Sequence, residues 1–230
     1  MTTVIIVAAG TGERFGAETP KQFVNIHGIP VLRRTIERFE AAETIDRIVL
    51  VLSDDGRRRF EAMDLGCGIT KLQSVVIGGS SRAESVRNGL AAVEAAEVVA
   101  VHDGARPLVS VAEIDEVIRK ASETGAACLV AEVSDTIKHV ENGEIVCTVD
   151  RTRLRRALTP QAFRMEVLTR AFADAGVSAA AATDEAYLVE AIGVPIHCVE
   201  GSTRNIKITR PEDVAVAEAL LAEIEAEHKL

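Results

Sequence analysis

Val4-Ile5-Ile6-Val7-Ala8-Ala9-Gly10-Thr11-Gly12-Glu13-Arg14-Phe15-Gly16, running on to Pro20-Lys21-Gln22-Phe23, decides the fold. An apolar run of strand length feeds directly into a loop of small residues that carries Arg14 and then Lys21. Small side chains let a backbone approach an anion closely, so main-chain N–H groups can meet a phosphate while the two cations neutralise its charge. Two lookalikes are separated by spacing. Gly10, Gly12 and Gly16 stand as G-x-G-x-x-x-G rather than the dinucleotide G-x-G-x-x-G, and no Gly-Lys-Ser/Thr of a Walker loop is present. The stretch reads as a nucleotide triphosphate loop at the carboxyl end of a buried strand.

Working outward, strands and helices alternate. Val31, Leu32, Ile36 and Phe39 recur at helical spacing after Pro30, and Ile48 to Leu52 is a second buried strand. Ser74 to Ile77 is a third, followed by a helix with Ser81 and Glu84 as a capping box. Val98 to Val101 is a fourth, and Ser110 with Glu113 opens the next helix. Ala127 to Ala131 is a fifth. Runs that are apolar throughout, separated by amphipathic helices, predict a single doubly wound, mostly parallel α/β sheet covered on both faces. From about residue 133 to 156 the rhythm breaks. Thr136 to Val140 and Ile145 to Val149 alternate with period two around Asn142-Gly143, which predicts a β-hairpin arm. An isolated ribbon is marginal in water, so the arm is expected to pack on another subunit rather than to fold as a flap. The α/β pattern then resumes. Thr159-Pro160 reads as a helix cap and first position, and a helix spans Asp184 to Ala191, its Asp184-Glu185 read as an N-terminal charge pair. Pro195 to Val199 and Asn205 to Thr209 read as strands, with Thr209 and Glu212 capping the last helix. One domain, residues 1–230, is expected.

Composition narrows the function classes. A formal charge of −9 argues against a nucleic-acid binder held by general electrostatics. No apolar run approaches the roughly 20 residues of a membrane span, and the first residues lack the pattern of a signal peptide, so a cytoplasmic protein with no membrane partner is expected. The four cysteines show no metal-ligand spacing; Cys128 and Cys198 lie within apolar runs and are expected to be buried thiols. Ligands of open α/β sheets sit outside the carboxyl ends of the strands. Three such ends carry chemistry here: Gly10 to Lys21, Gly78 to Arg82, and Asp103 to Arg106.

Those motifs, with His102-Asp103-Gly104-Ala105-Arg106-Pro107, Asp135-Thr136-Ile137-Lys138, Leu158-Thr159-Pro160-Gln161 and Asn205-Ile206-Lys207-Ile208-Thr209, occur in one family's order over nearly the whole chain. The chain resembles the 2-C-methyl-D-erythritol 4-phosphate cytidylyltransferases of the non-mevalonate isoprenoid pathway. The resemblance implies a Rossmann-like nucleotidyltransferase fold and CTP plus a sugar-alcohol phosphate as substrates. It further implies Mg2+ or a similar divalent cation and a homodimer interlocked through the hairpin arms. It places Arg14 and Lys21 on the CTP phosphates, and Ala8, Ala9, Gly10, Gly12, Gly79, Ser80 and Ser85 around the nucleotide. Asp103 falls near the ribose and the metal. Arg106, Thr159 and Lys207 line the sugar-phosphate site, Lys207 also acting in catalysis, while Thr136 and Arg151 reach the partner subunit's substrate. Ser80 stands where the family often has an acidic residue, at a contact that is largely main-chain.

The chemistry agrees with that assignment. A phosphate acceptor is already ionised, so transfer needs alignment and several cations rather than a strong general base. Alternatives from the same residues are a ribitol 5-phosphate cytidylyltransferase, a non-catalytic nucleotide sensor and a dinucleotide-dependent oxidoreductase. His102 reads as structural rather than catalytic.

Overall fold

A computed structural model describes residues 1–10, 15–16, 19–175 and 182–227; Gly12 and Arg14 lie outside the described residues. Strand β1 is Thr2–Ala8, and a minor hairpin of β2 (Asn25–Ile26) and β3 (Ile29–Pro30) leads into helix α1 (Val31–Ala41). Then come β4 (Arg47–Leu52), α2 (Asp54–Ala62), β5 (Leu72–Ile77), α3 (Arg82–Ala91), β6 (Val98–Asp103) and α4 (Val111–Thr124). β7 (Ala126–Glu132), the arm strands β8 (Ile137–Glu141) and β9 (Glu144–Val149), and β10 (Arg155–Arg164) follow. Helices α5 (Met165–Ala175) and α6 (Glu185–Ala191), strand β11 (His197–Glu200) and helix α7 (Glu212–Glu227) close the chain.

The central sheet has the order β11-β7-β10-β6-β1-β4-β5, with every neighbour parallel except β10, which runs antiparallel to both β6 and β7. The apolar run of β1 is explained by its place between β6 and β4. Successive side chains point to opposite faces. Val4 and Ile6 enter the core under α1 and α4, with Leu32, Phe39 and Ile114. Ile5 enters the other core, with Val86 and Leu90 of α3 and Leu168 of α5. Each fully buried side chain of this size contributes roughly 1.5–3 kcal/mol. Ser110 and Glu113 form a complete capping box on α4, which ends at Gly125 with φ 97°. On α3 Ser81 accepts from the Glu84 amide, but the Glu84 carboxylate reaches back to Ser80 rather than Ser81.

Three local expectations are corrected. Thr159-Pro160 does not begin a helix. Leu158, Thr159 and Gln161 to Phe163 are buried within β10, and the helix starts at Met165. The slot between β6 and β7 overrides the local cap-and-proline signal. Pro160, having no N–H to donate, falls where the register with β7 breaks between Ala157 and Gln161. Residues 205–209 form no strand: Asn205 and Ile206 N–H turn back to Ser202 O and Arg204 O, and Ile208 N–H reaches Ala105 O at 2.8 Å. At the start of α7 Thr209 is no acceptor cap. The Asp213 carboxylate instead accepts from the Thr209 and Arg210 amides and from the Thr209 hydroxyl.

Cys128 is buried as expected, its thiol pushed up to about 12 by burial. Cys198 is exposed, because it lies on the edge strand β11 beside Cys128 in register.

The arm is the distal part of a larger hairpin. β7 and β10 pair antiparallel from Glu132 and Arg155 onward, and β8–β9 continue beyond that pair. β7 runs with β6 and β1, so the arm leaves from the edge of the sheet where those strands also end. Asn142 (φ 50°) and Gly143 (φ 85°) make the tight turn that two left-handed residues require. Val140, Ile145 and Val146 are exposed, so the ribbon has no core of its own.

Candidate active site

At the carboxyl edge a cavity of about 460 Å³ is lined by the ends of β1, β5 and β6. Its wall includes Ala8, Ala9, Gly10, Lys21, Gly79, Ser80, Ser85, Asp103 and Lys207, nine of the residues singled out from sequence, together with Arg82. A larger, open depression lined by Glu97, Ser122, Arg164 and Glu166 lies at the opposite edge, where β6 begins and β10 ends, and contains none of them.

The strand ends are pressed together by small residues. A Cβ on Gly78 would lie 2.4 Å from the Cβ of Ala9, and one on Gly104 would lie 2.7 Å from that of Ala8. Real Cβ atoms do not approach so closely. The Ala8-Ala9 pair is therefore small for two reasons, exposure of backbone to a ligand and contact with its neighbours. Gln22, buried in a single turn after Pro20, donates to Ala8 O at 3.0 Å and pins the loop that carries Lys21 back onto β1. Ser85 accepts from Gly79 N–H at 3.1 Å and donates to Ser81 O, fixing the loop after β5.

Asp103, the last residue of β6, is the hub. Its Oδ1 lies 3.3 Å from Arg82 Nε, and its Oδ2 lies 3.3 Å from Arg106 Nε and 2.9 Å from Lys207 Nζ. Burial alone would raise this carboxyl, but Lys207, Arg82 and Arg106 together hold it well below the usual carboxylate range. Burial lowers the Arg106 guanidinium somewhat against the opposing pull of Asp103. Arg106 also donates to Asn205 O at 2.9 Å, which ties the segment bearing Lys207 to β6.

Behind Asp103 runs a chain with one consistent proton assignment. Burial keeps His102 neutral, its imidazolium lowered to about 3. Its Nε2 lies 3.1 Å from Arg106 O, a pure acceptor, so Nε2 carries the proton. Nδ1 therefore accepts from the Thr159 hydroxyl at 3.0 Å, and Thr159 Oγ1 accepts from Asp103 N–H at 3.1 Å. His102 is structural, as expected.

The chain matches the family of 2-C-methyl-D-erythritol 4-phosphate cytidylyltransferase over residues 2–223. It belongs to that family. It is 43% identical to the 2-C-methyl-D-erythritol 4-phosphate cytidylyltransferase of Geobacillus kaustophilus, over 97% of this chain and 98% of that one. It is 42% identical to that of Bacillus cytotoxicus, over 96% and 98%. Among solved structures, 4-diphosphocytidyl-2C-methyl-D-erythritol synthase from Anaerococcus prevotii superposes with a TM-score of 0.85 at 26% identity, covering 96% of each chain. The 2-C-methyl-D-erythritol 4-phosphate cytidylyltransferase of Francisella tularensis gives 0.79 at 32% identity, over 95% of this chain and 99% of that one.

Within this cytidylyltransferase-family fold the remaining site residues fall in two places. Arg106 and Thr159 stand behind Asp103 and do not line the cavity. Thr136 and Arg151 are exposed at the base of the arm, Arg151 donating to Ser134 O, and neither lines this chain's cavity. As donors to a divalent cation the residues present fit poorly. Asp103 is the one carboxylate of the cavity wall among the described residues, and both its oxygens already face cations. The same residues show no cluster of three or more metal-ligating side chains.

Sequence reasoning placed Arg82 at a strand end that carries chemistry but gave it no role, and it read Glu185 only as a helix-start charge. Arg82 lines the cavity, and its Nη1 lies 2.6 Å from Oε1 of Glu185, which is 1% exposed. The signal available was a charged pair, Asp184-Glu185, in which only Asp184 is the cap, accepting from Tyr187 N–H.

Proposed function

We propose that this chain transfers the cytidylyl group of CTP to 2-C-methyl-D-erythritol 4-phosphate, giving 4-diphosphocytidyl-2-C-methyl-D-erythritol and pyrophosphate in isoprenoid biosynthesis. The observation that carries the reading is the cavity at the carboxyl edge. It pairs bare backbone at Ala8, Ala9, Gly10 and Gly79 with Lys21 and Lys207.

An oxygen of the acceptor phosphate attacks the α-phosphorus, a new P–O bond forms, and the α–β bridging bond breaks with its electron pair leaving on pyrophosphate. The attacking oxygen is ionised at neutral pH, which matches a site whose imidazole is buried, neutral and turned to Thr159 and Arg106 O. Arg14 and Lys21 belong on the triphosphate and Lys207 on the acceptor side. There these cations lower the repulsion between two anions and stabilise the charge at phosphorus. The backbone around Ala8, Ala9, Gly10, Gly12, Gly79, Ser80 and Ser85 takes the nucleotide. Arg106 and Thr159 serve the acceptor side by fixing Asp103, and Asp103 in turn holds Lys207.

A Mg2+ ion accompanying the triphosphate would offset part of its charge, and it would draw little on Asp103, whose oxygens already face three cations. Thr136 and Arg151 act on the partner's acceptor in a homodimer joined through the arms, within a cytoplasmic enzyme. No helix among the described residues is long and apolar enough to cross a membrane.

Pyrophosphate release with CTP and each of two acceptors tests the reading. Methylerythritol phosphate should support turnover well above ribitol 5-phosphate. Faster turnover of ribitol 5-phosphate would overturn the acceptor, and CTP binding without release for either would overturn catalysis.

A further inference from the structure

Glu185 stands outside the mechanism, yet it is buried. It enters at the first turn of α6, whose start is clamped to β10: Gln161 donates to Asp184 Oδ2 at 2.9 Å and accepts from Ala186 N–H at 2.9 Å. Burial raises the Glu185 carboxyl above its ordinary range, against the pull of Arg82. Its Oε1 meets Arg82, while Oε2 has no hydrogen-bond partner among the described residues. A half-satisfied buried carboxylate costs stability relative to an apolar side chain of similar size. Its use must lie in what it does to Arg82.

Arg82 is the first residue of α3, a quarter exposed, and lines the cavity. It is gripped on both sides, Nη1 by Glu185 at 2.6 Å and Nε by Asp103 at 3.3 Å. Burial works against its charge, yet Glu185 and Asp103 hold it protonated above its ordinary range. Lys21 and Lys207 share the same cavity wall.

We propose that Glu185 is a positioning residue that withholds Arg82 from the phosphates. It holds the guanidinium beside Asp103 and balances its charge, so that pyrophosphate is not gripped by an additional arginine. The inference rests on the phosphate-transfer reading for its purpose, but its physical content is an anion affinity that exists without turnover. Freed of Glu185, an arginine at a cavity wall forms bidentate pairs with phosphate readily.

The test is calorimetric titration of inorganic pyrophosphate into whole protein, without CTP or acceptor, in wild type, Glu185→Gln, Arg82→Gln and the double variant. Glu185→Gln should bind pyrophosphate about tenfold more tightly, the scale of one uncompensated charge in a partly solvated cavity. That gain should vanish in the double variant. A Glu185→Gln protein that melts lower but binds pyrophosphate with unchanged or weaker affinity would overturn the proposal. So would a gain that persists without Arg82. Glu185→Met, apolar and of similar length, serves if the amide disturbs folding, with the same tightening expected and the same outcomes against it. Because no turnover is measured, the result stands apart from which acceptor the enzyme uses.

Discussion

At the ends of β1 and β6, Gln22, His102, Asp103 and Thr159 are buried and hydrogen-bonded to one another or to neighbouring backbone. In the arm, Val140, Ile145 and Val146 are 52%, 66% and 56% exposed, and β8 and β9 pair only with each other. The first region is hydrogen-bonded within one chain; the second presents apolar surface and, in Thr136 and Arg151, two proposed site residues that its own chain does not bring to the cavity. The difference divides the labour. On the proposed function, nucleotide recognition belongs to the hydrogen-bonded sheet edge, whereas the acceptor side waits on contacts the arm makes elsewhere, as the proposed dimer supplies.

The comparison breaks most visibly at Lys21. Lys21→Ala should lose on the order of a hundredfold or more in turnover, as loss of a transition-state charge contact does. The melting temperature should stay within a few degrees of wild type. Unchanged turnover in a steady-state assay would remove Lys21 from the chemistry.

Replacing residues 138–148 by a short Gly-Ser turn probes the other region. Calorimetry should find CTP affinity unchanged, while the acceptor KM rises about tenfold, equivalent to roughly 1.4 kcal/mol. Loss of CTP binding would mean the two regions are not separable.

A smaller effect sharpens the contrast through pH. His102 titrates near 6.5 when unfolded and near 3 when folded. Between those values the unfolded chain binds the extra proton, so stability falls as pH drops through that window, by at most ~1.4 kcal/mol per pH unit from this group. Asp103, depressed from an ordinary 3.8, adds a loss in the same direction below that pH. Glu185, raised from an ordinary 4.5, opposes both, because its folded form keeps a proton that the unfolded form has lost. Urea denaturation from pH 7 to pH 4.5 should therefore show a slope that His102→Asn flattens and the arm replacement leaves alone. An equal slope in the His102 variant would contradict its neutral, buried state.

What was legible in the sequence follows the same division. β1, β4, β6 and β7 were readable because each is buried on both faces through an unbroken apolar run: Val4 to Ala8, Ile48 to Leu52, Val98 to Val101 and Ala126 to Ala131. The arm was readable because Asn142-Gly143 specifies a turn by backbone conformation alone. β10 was not. Its Thr159-Pro160 carries a strong local helix signal, and only the tertiary slot between β6 and β7 makes those residues strand. The cavity wall was legible from small residues next to cations. Arg82 with Glu185 was not, since 103 positions separate them and Glu185 imitates an ordinary helix-start charge. Cys198 was misjudged because an apolar run does not reveal that its strand lies at the sheet edge.

Subunit complementation tests the division of labour most directly. Lys21→Ala and Arg151→Ala chains, each expected to be nearly inactive alone, are unfolded together, refolded as a mixture, and assayed for pyrophosphate release. If each arm serves the partner's cavity, half of the dimers are mixed and each mixed dimer has one intact site. Activity should then return to roughly a quarter of wild type. Activity no higher than the average of the two variants would show that the arm serves its own chain or none, and would contradict the account.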